Sequence, residues 1–384
     1  MTFIIFYGIV LSIYILINYY IFIRGWQSLP PGSQSRGIYI GLFIFLSFSY
    51  IAGRILERYW LGQPTTFLLW SGSFWLGAMV YIILILLVID FVRLVNLVIP
   101  VIPAVWMNNP LHTKMVVFTG TVILVSAITL AAHINTWYPG TTTLDLELDG
   151  KNSQMRSVKI VMVSDIHLGS LTPRNRVERL VRKINSHNPD IILTAGDVLD
   201  EDVRPVIHRD LGSALKKLTA PLGVYGITGN HEYIGGVSEA SDYLTSHGIV
   251  LIRDSVVKIN DSFYLAGRED RSINSFSEGR RMSAKDLINL ANDDIPVILL
   301  DHQPYDLEKS AAAGADLQLS GHTHHGQLWP FNFITRAIYT ISRGYGEIDG
   351  MKVYVSNGIG TWGPPMRLGS RPEIVVINVT FNNL

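Results

Sequence analysis

Residues 158–170 read VKIVMVSDIHLGS. Val158, Ile160, Val161, Met162 and Val163 form a short apolar run that stops at polar residues. A run this short and this rich in β-branched side chains reads as a buried strand. Downstream, TPRNRVERLVRKINSH (172–187) places Val177, Leu180, Val181 and Ile184 on one helical face. Thr172 is expected to cap that helix and Pro173 to open its first turn. DIILTAGDVLD (190–200) then repeats the pattern of the first strand. Strand, helix, strand is a βαβ unit, and ligands gather beyond the carboxyl ends of its strands.

Upstream the composition changes. The chain has 384 residues, 48% of them hydrophobic, with 31 basic and 31 acidic side chains and no cysteine. Residues 1–140 hold only Arg24, Arg36, Arg54, Arg58, Arg93 and Lys114, with Glu57 and Asp90. The other charges lie in 141–384, where acids slightly outnumber bases. A mildly acidic soluble half excludes nucleic acid as a partner, since that needs a basic face. The lack of cysteine excludes disulfides and thiolate metal sites.

The uncharged half reads as membrane. Segments 2–23, 37–53, 66–92 and 115–133 are apolar runs near the ~20 residues that a spanning helix needs. Tyr19, Tyr20, Tyr50, Tyr59 and Trp60 sit near their ends, as an aromatic belt does. Residues 95–110 are apolar too, but Pro100, Pro103 and Pro110 make them an interfacial or re-entrant stretch. Asp90 and Arg93 can pair three residues apart. Arg24, Arg36, Arg93 and Lys114 flank loops one and three, against Arg54 and Arg58 on the other side. The positive-inside rule then puts those loops in the cytoplasm and the C-terminal half outside it. The expected organisation is a four-helix membrane domain over 1–140, a linker and first strand over 141–157, and a catalytic domain over 158–384. Within the linker, TLDLELDG (143–150) alternates like a half-buried strand.

Chemistry collects at the strand ends. Asp165 and His167 follow the first strand, and in an extended chain residues two apart face the same way. Asp197 follows the second. YGITGNHEY (225–233) leads into Asn230 and His231, PVILLDHQP (296–304) into His302, and LQLSGHTHH (317–325) into His322, His324 and His325. One histidine beside an apolar run is usually structural. Five consecutive strands each ending in His, Asp or Asn describe a metal centre.

These blocks, Asp165-Ile166-His167, Gly196-Asp197-Val198-Leu199-Asp200, Gly229-Asn230-His231-Glu232, His302 and Gly321-His322-Thr323-His324, resemble the calcineurin-like metallophosphoesterases, block for block and in order. The tail VSNGIGTWGPPMRLGSRPEIVVINV (355–379) also resembles a membrane-associated bacterial phosphodiesterase branch, which includes relatives that cleave the pyrophosphate of UDP-2,3-diacylglucosamine. One departure is His325, where those relatives have glycine.

The resemblance implies a four-layer α/β sandwich behind the membrane helices, with two divalent ions, Mn, Zn or Fe. Carried across, Asp165, His167 and His324 hold the first ion. Asn230, His302 and His322 hold the second, and Asp197 bridges them. The bridge is chemically natural, since two nearby dications repel. Their surplus positive charge attracts a phosphate anion, and a paired site can supply hydroxide at neutral pH. His231, oriented by Asp200, is expected to touch the phosphoryl group or protonate the leaving group. A helix cap is the other reading of Asp200. His325 is a substrate contact or a solvated imidazole, and Arg367 a phosphate partner or a surface residue.

The implied activity is a membrane-anchored phosphohydrolase acting on a phosphorylated, lipid-linked or envelope substrate at the bacterial cytoplasmic membrane. The alternatives are UDP-2,3-diacylglucosamine pyrophosphatase and a non-catalytic membrane binding or sensing protein. Residues 328–341, LWPFNFITRAIYTI, read equally as an apolar lip and as packed core.

Overall fold

The computed structural model describes residues 2–382. Residue 1 of the expected membrane domain and residues 383–384 of the expected catalytic domain lie outside the described residues. The chain divides into two compact units, Met1–His133 with Gly363–Pro365, and Ile134–Trp362 with Met366–Leu384.

Among the described residues, four helices in the first unit are long and apolar enough to cross a membrane. They are α1 (Thr2–Trp26), α2 (Gln34–Glu57), α3 (Gln63–Asn96) and α5 (Pro110–Asn135). The second expected span grows to 24 residues and the third to 34. Residues 97–103 are not helical, and α4 (Ala104–Asn108) buries nothing. The prolines act here as their chemistry predicts. Pro103 stands just before α4, and Pro110 opens α5, where its missing N–H costs no hydrogen bond. Ile21, Phe43, Trp75 and Met79 form the contact core of the helices. Buried Asn18 sits within it, accepting from Ser47 Oγ (2.9 Å) and Trp75 Nε1 (3.0 Å). A polar group in an apolar bundle persists when satisfied in this way. Asp90 has Arg93 at 3.6 Å, but its tighter partners are Arg24 and Tyr20 on α1. The pair foreseen within one helix is thus mainly a link between two.

The second unit holds two six-stranded sheets. The first has the order β1 (Gly140–Asp149), β12 (Glu373–Asn382), β2 (Ser157–Val163), β3 (Ile191–Ala195), β4 (Val224–Ile227), β5 (Val250–Leu251). The second runs β10 (Gly344–Ile348), β11 (Met351–Val355), β9 (Leu317–Ser320), β8 (Val297–Leu300), β7 (Phe263–Gly267), β6 (Ser255–Ile259). β2, β3 and β4 are mutually parallel, and so are β7, β8, β9 and β11.

Ile160, Met162, Leu193 and Ile227 from the first sheet pack against Leu265, Ile298, Leu300 and Leu319 from the second. The opposite faces carry helices. Val161, Val163 and Ile192 meet Val177, Val181 and Ile184 of α6 (Arg174–Asn185), while Leu299 and Val353 meet Leu287 and Leu307. Helix, sheet, sheet, helix gives four layers. It also explains why the central strands read as unbroken apolar runs, because both their faces are covered. The edge strands β1 and β10 instead alternate in burial along their length. At α6 the residue before the helix is Pro173, and Thr172 caps nothing. The Thr172 hydroxyl instead donates to the His167 carbonyl (2.8 Å), bracing the loop that follows β2.

Candidate metal centre

Five strands bring their carboxyl ends to one place: β2, β3 and β4 from one sheet, β8 and β9 from the other. The chain turns sharply there. Asp165 (φ 53°), His167 (49°), Asp197 (51°), His322 (70°) and His324 (46°) all adopt the left-handed region. Non-glycine residues visit it at a cost of order 1–3 kcal/mol, and such residues cluster at functional sites. The extended geometry expected for Asp165-Ile166-His167 is therefore not what is found. β2 stops at Val163, and both side chains are aimed by the turn. Neighbouring glycines let the loops close. A Cβ on Gly321 would stand 2.5 Å from Asp165 Oδ2, and one on Gly229 would collide with Asp197 Oδ1.

Two groups of donor atoms lie on either side of Asp197, and a third, His167 with Asp200 and His231, adjoins them. Asp165, His167 and His324 form one, all buried. His167 Nε2 and His324 Nε2 are 2.9 Å apart, with Asp165 Oδ1 3.5 Å from the latter. Asp197, His302 and His322 form the second. His302 Nε2 lies 3.1 Å from Asp197 Oδ2, and Asn230 Oδ1 lies 2.8 Å from His322 Nδ1 and 3.2 Å from His302 Nε2. Asp197 Oδ2 also comes within 3.9 Å of His167, so this carboxylate stands between the groups. Buried imidazoles whose nitrogens converge with carboxylate and amide oxygens fit divalent cations. Burial lowers the pKa of His322 to about 4, so its ring keeps a free lone pair, and burial with Arg367 also lowers that of His324.

Beside these groups, His231 Nδ1 lies 3.3 Å from Asp200 Oδ1, and its ring stands edge-on to His167 at 4.6 Å between centroids. Burial pulls its pKa down, but Asp197 and Asp200 outweigh this and hold it at about 9.

The Calcineurin-like phosphoesterase family pattern matches residues 158–326. An uncharacterized metallophosphoesterase of Aquifex aeolicus (strain VF5) is 35% identical over 256 residues, 65% of this chain and 94% of that protein. The chain belongs to the calcineurin-like phosphoesterase family. A transmembrane protein with metallophosphoesterase domain from Bos taurus is 34% identical over 278 residues, 69% of this chain but only 61% of that protein. Among solved structures, a 5'-nucleotidase precursor from Thermus thermophilus is 14% identical with a TM-score of 0.38, covering 59% of this chain and 54% of that one. Membership makes the chain a metal-dependent phosphoester hydrolase and implies divalent ions, for which the two groups are the candidate sites.

For four further residues of the phosphoesterase the sequence leaves the role open. Asp200 caps no helix, since the next one starts at Arg204 behind Val203. Its carboxylate faces His231 and His167 (3.6 Å) instead. His325 is not a solvated imidazole. It is 2% exposed, with Nδ1 3.2 Å from Ser342 Oγ, and it belongs to neither metal group. Arg367 is not a surface residue but wholly buried. Its guanidinium donates to the carbonyls of Gly360 and Asn357, to Ser370 Oγ and to His324 Nδ1 (2.7 Å), so it backs a candidate ligand rather than reaching outward. Glu232, whose role the sequence did not disclose, accepts from the backbone N–H of Asp197, Leu199 and Gly229 (3.1, 2.8 and 2.7 Å). It thereby ties the loop after β3 to the loop after β4. An acid straight after the histidine of GNH was the available signal.

Proposed function

We propose that the chain is a membrane-anchored, binuclear phosphohydrolase that cleaves a phosphoester or pyrophosphate bond in a lipid or cell-envelope substrate. The convergence of two donor groups, one buried and one largely so, on either side of Asp197 supports this reading most. Asp165, His167 and His324 would hold one ion, Asn230, His302 and His322 the other, and Asp197 both. When bound, such a pair of Mn, Fe or Zn ions supplies Lewis acidity and a nucleophile at neutral pH. The protein's own groups position the rest. His231, held against Asp200, gives a proton to the leaving oxygen. Glu232 and Thr172 keep the ligand loops in register.

Purified without chelator, the full chain should carry about two transition-metal ions, one for each donor group. It should hydrolyse bis-nitrophenyl phosphate, lose that activity to chelator and regain it with Mn. Less than one ion per chain, with no activity restored by Mn, would sink the binuclear reading. A panel of phospholipids, polyprenyl diphosphates and nucleotide-sugar lipids identifies the leaving group.

The proposed setting is the bacterial cytoplasmic membrane, with the catalytic part outside the cytoplasm because bases concentrate at loops one and three. Protease added to spheroplasts should then digest 141–384. Protection until the membrane is opened reverses the orientation.

A further inference from the structure

The apolar segment after the metal ligands is not packed core. Trp329, Phe331, Phe333, Ile334 and Ile338 are 39–58% exposed, and the helix Asn332–Ile338 buries none of its residues. Elsewhere in the second unit exposed large apolar side chains are sparser along the chain, as at Ile207, Val250 and Leu290. Five within ten residues make a patch of the kind that marks an interaction surface. Arg336 lies within it and Arg343 follows it, both exposed.

The patch adjoins the metal centre. At its C-terminal end the Tyr339 ring lies 6.2 Å from His322, and its hydroxyl accepts from Tyr305 (3.1 Å). Exposed Trp362 has its ring 6.2 Å from His231. Gln327 grips the Trp362 backbone from both sides, donating to its carbonyl (2.9 Å) and accepting from its N–H (3.1 Å). Thus one loop carries His324 and His325, Gln327 fastens Trp362 to it, and the loop runs on directly into the apolar residues.

We propose that Trp329–Ile338 and Trp362 form a lip that docks into the lipid surface of the chain's own membrane and delivers a membrane-resident phosphodiester to the metal centre. This rests on the hydrolase reading above. A bilayer is the occupant the chain itself points to. α5 ends at Asn135 and β1 starts at Gly140, so the tether reaches no more than about 18 Å. Tryptophan and phenylalanine interspersed with and followed by arginine are the composition of an interfacial segment, and the arginines complement anionic headgroups.

The test uses the cysteine-free full chain in nanodiscs of phosphatidylcholine and phosphatidylglycerol. A nitroxide at Phe333→Cys or Ile334→Cys should be reached by oxygen and shielded from a water-soluble nickel chelate. A label at Leu290→Cys, exposed outside the lip, is the reference. Nickel access at 333 and 334 equal to that at 290 overturns the docking. In addition, Phe333→Glu should lower kcat/KM on a phosphodiester lipid in the nanodisc by about ten-fold more than on bis-nitrophenyl phosphate. Equal losses on both substrates overturn the delivery role. If wild type hydrolyses neither substrate, the hydrolase reading fails, and the depth of the labels still decides the docking.

Discussion

Asp197→Asn is expected to strip both metal positions together and to lower turnover on the order of 1000-fold or more. The side chain is buried, stands 3.1 Å from His302 on one side and 3.9 Å from His167 on the other, and carries the negative charge placed between the two groups. Its other oxygen, Oδ1, accepts from the His231 backbone N–H at 2.9 Å. An asparagine keeps an oxygen there, so the loop stays in place and the loss reports the missing negative charge. Elemental analysis beside the rate checks this. One full equivalent of metal left in the purified variant would show that Asp197 serves a single ion.

His231→Ala should behave in the opposite way, keeping its metal while losing about 100-fold in kcat, the usual scale for a general acid. The ring stands against Asp200, in a third donor group that shares only His167 with the other two, so removing it leaves the seven donor positions intact. The pH profile gives a second readout. Burial disfavours the imidazolium, yet Asp197 and Asp200 hold the pKa at about 9, so the protonated form is present below that pH and lost above it. The wild-type rate should therefore fall as pH rises through this range, and that limb should vanish in His231→Ala. Bound cations near Asp197 would shift the limb to lower pH, because they cancel part of its charge. Metal loss in His231→Ala as severe as in Asp197→Asn would mean that His231 is itself a ligand.

Much of the architecture lies in local pattern. Segment length and apolarity determine the four membrane helices, because a spanning helix must satisfy its own backbone and face lipid. The apolar runs of β2, β3, β4, β8 and β9 are legible because strands covered on both faces tolerate few polar residues, and each stops where the chemistry starts. The amphipathic face of α6 follows from the 3.6-residue period alone.

Tertiary structure decides what depends on residues far apart in the chain. Nothing in TLDLELDG names Glu373–Asn382 as its partner, yet β1 and β12 pair in parallel over ten residues. The five strand ends could have come from one sheet. Long-range pairing divides them between two, and that lets Asp165 and His324 meet from opposite sheets. His325 and Arg367 show the same limit at the level of single residues. Both are polar in sequence and read as solvent-facing, but Ser342, Asn357 and Gly360 close around them once β9 and β11 lie side by side. Conversely, apolar 328–341 reads equally as lip and as core by composition, and it stays exposed over its helix, since burial requires neighbours that cover it. Composition determines which side chains favour leaving water, and the packing of distant elements decides which of them do.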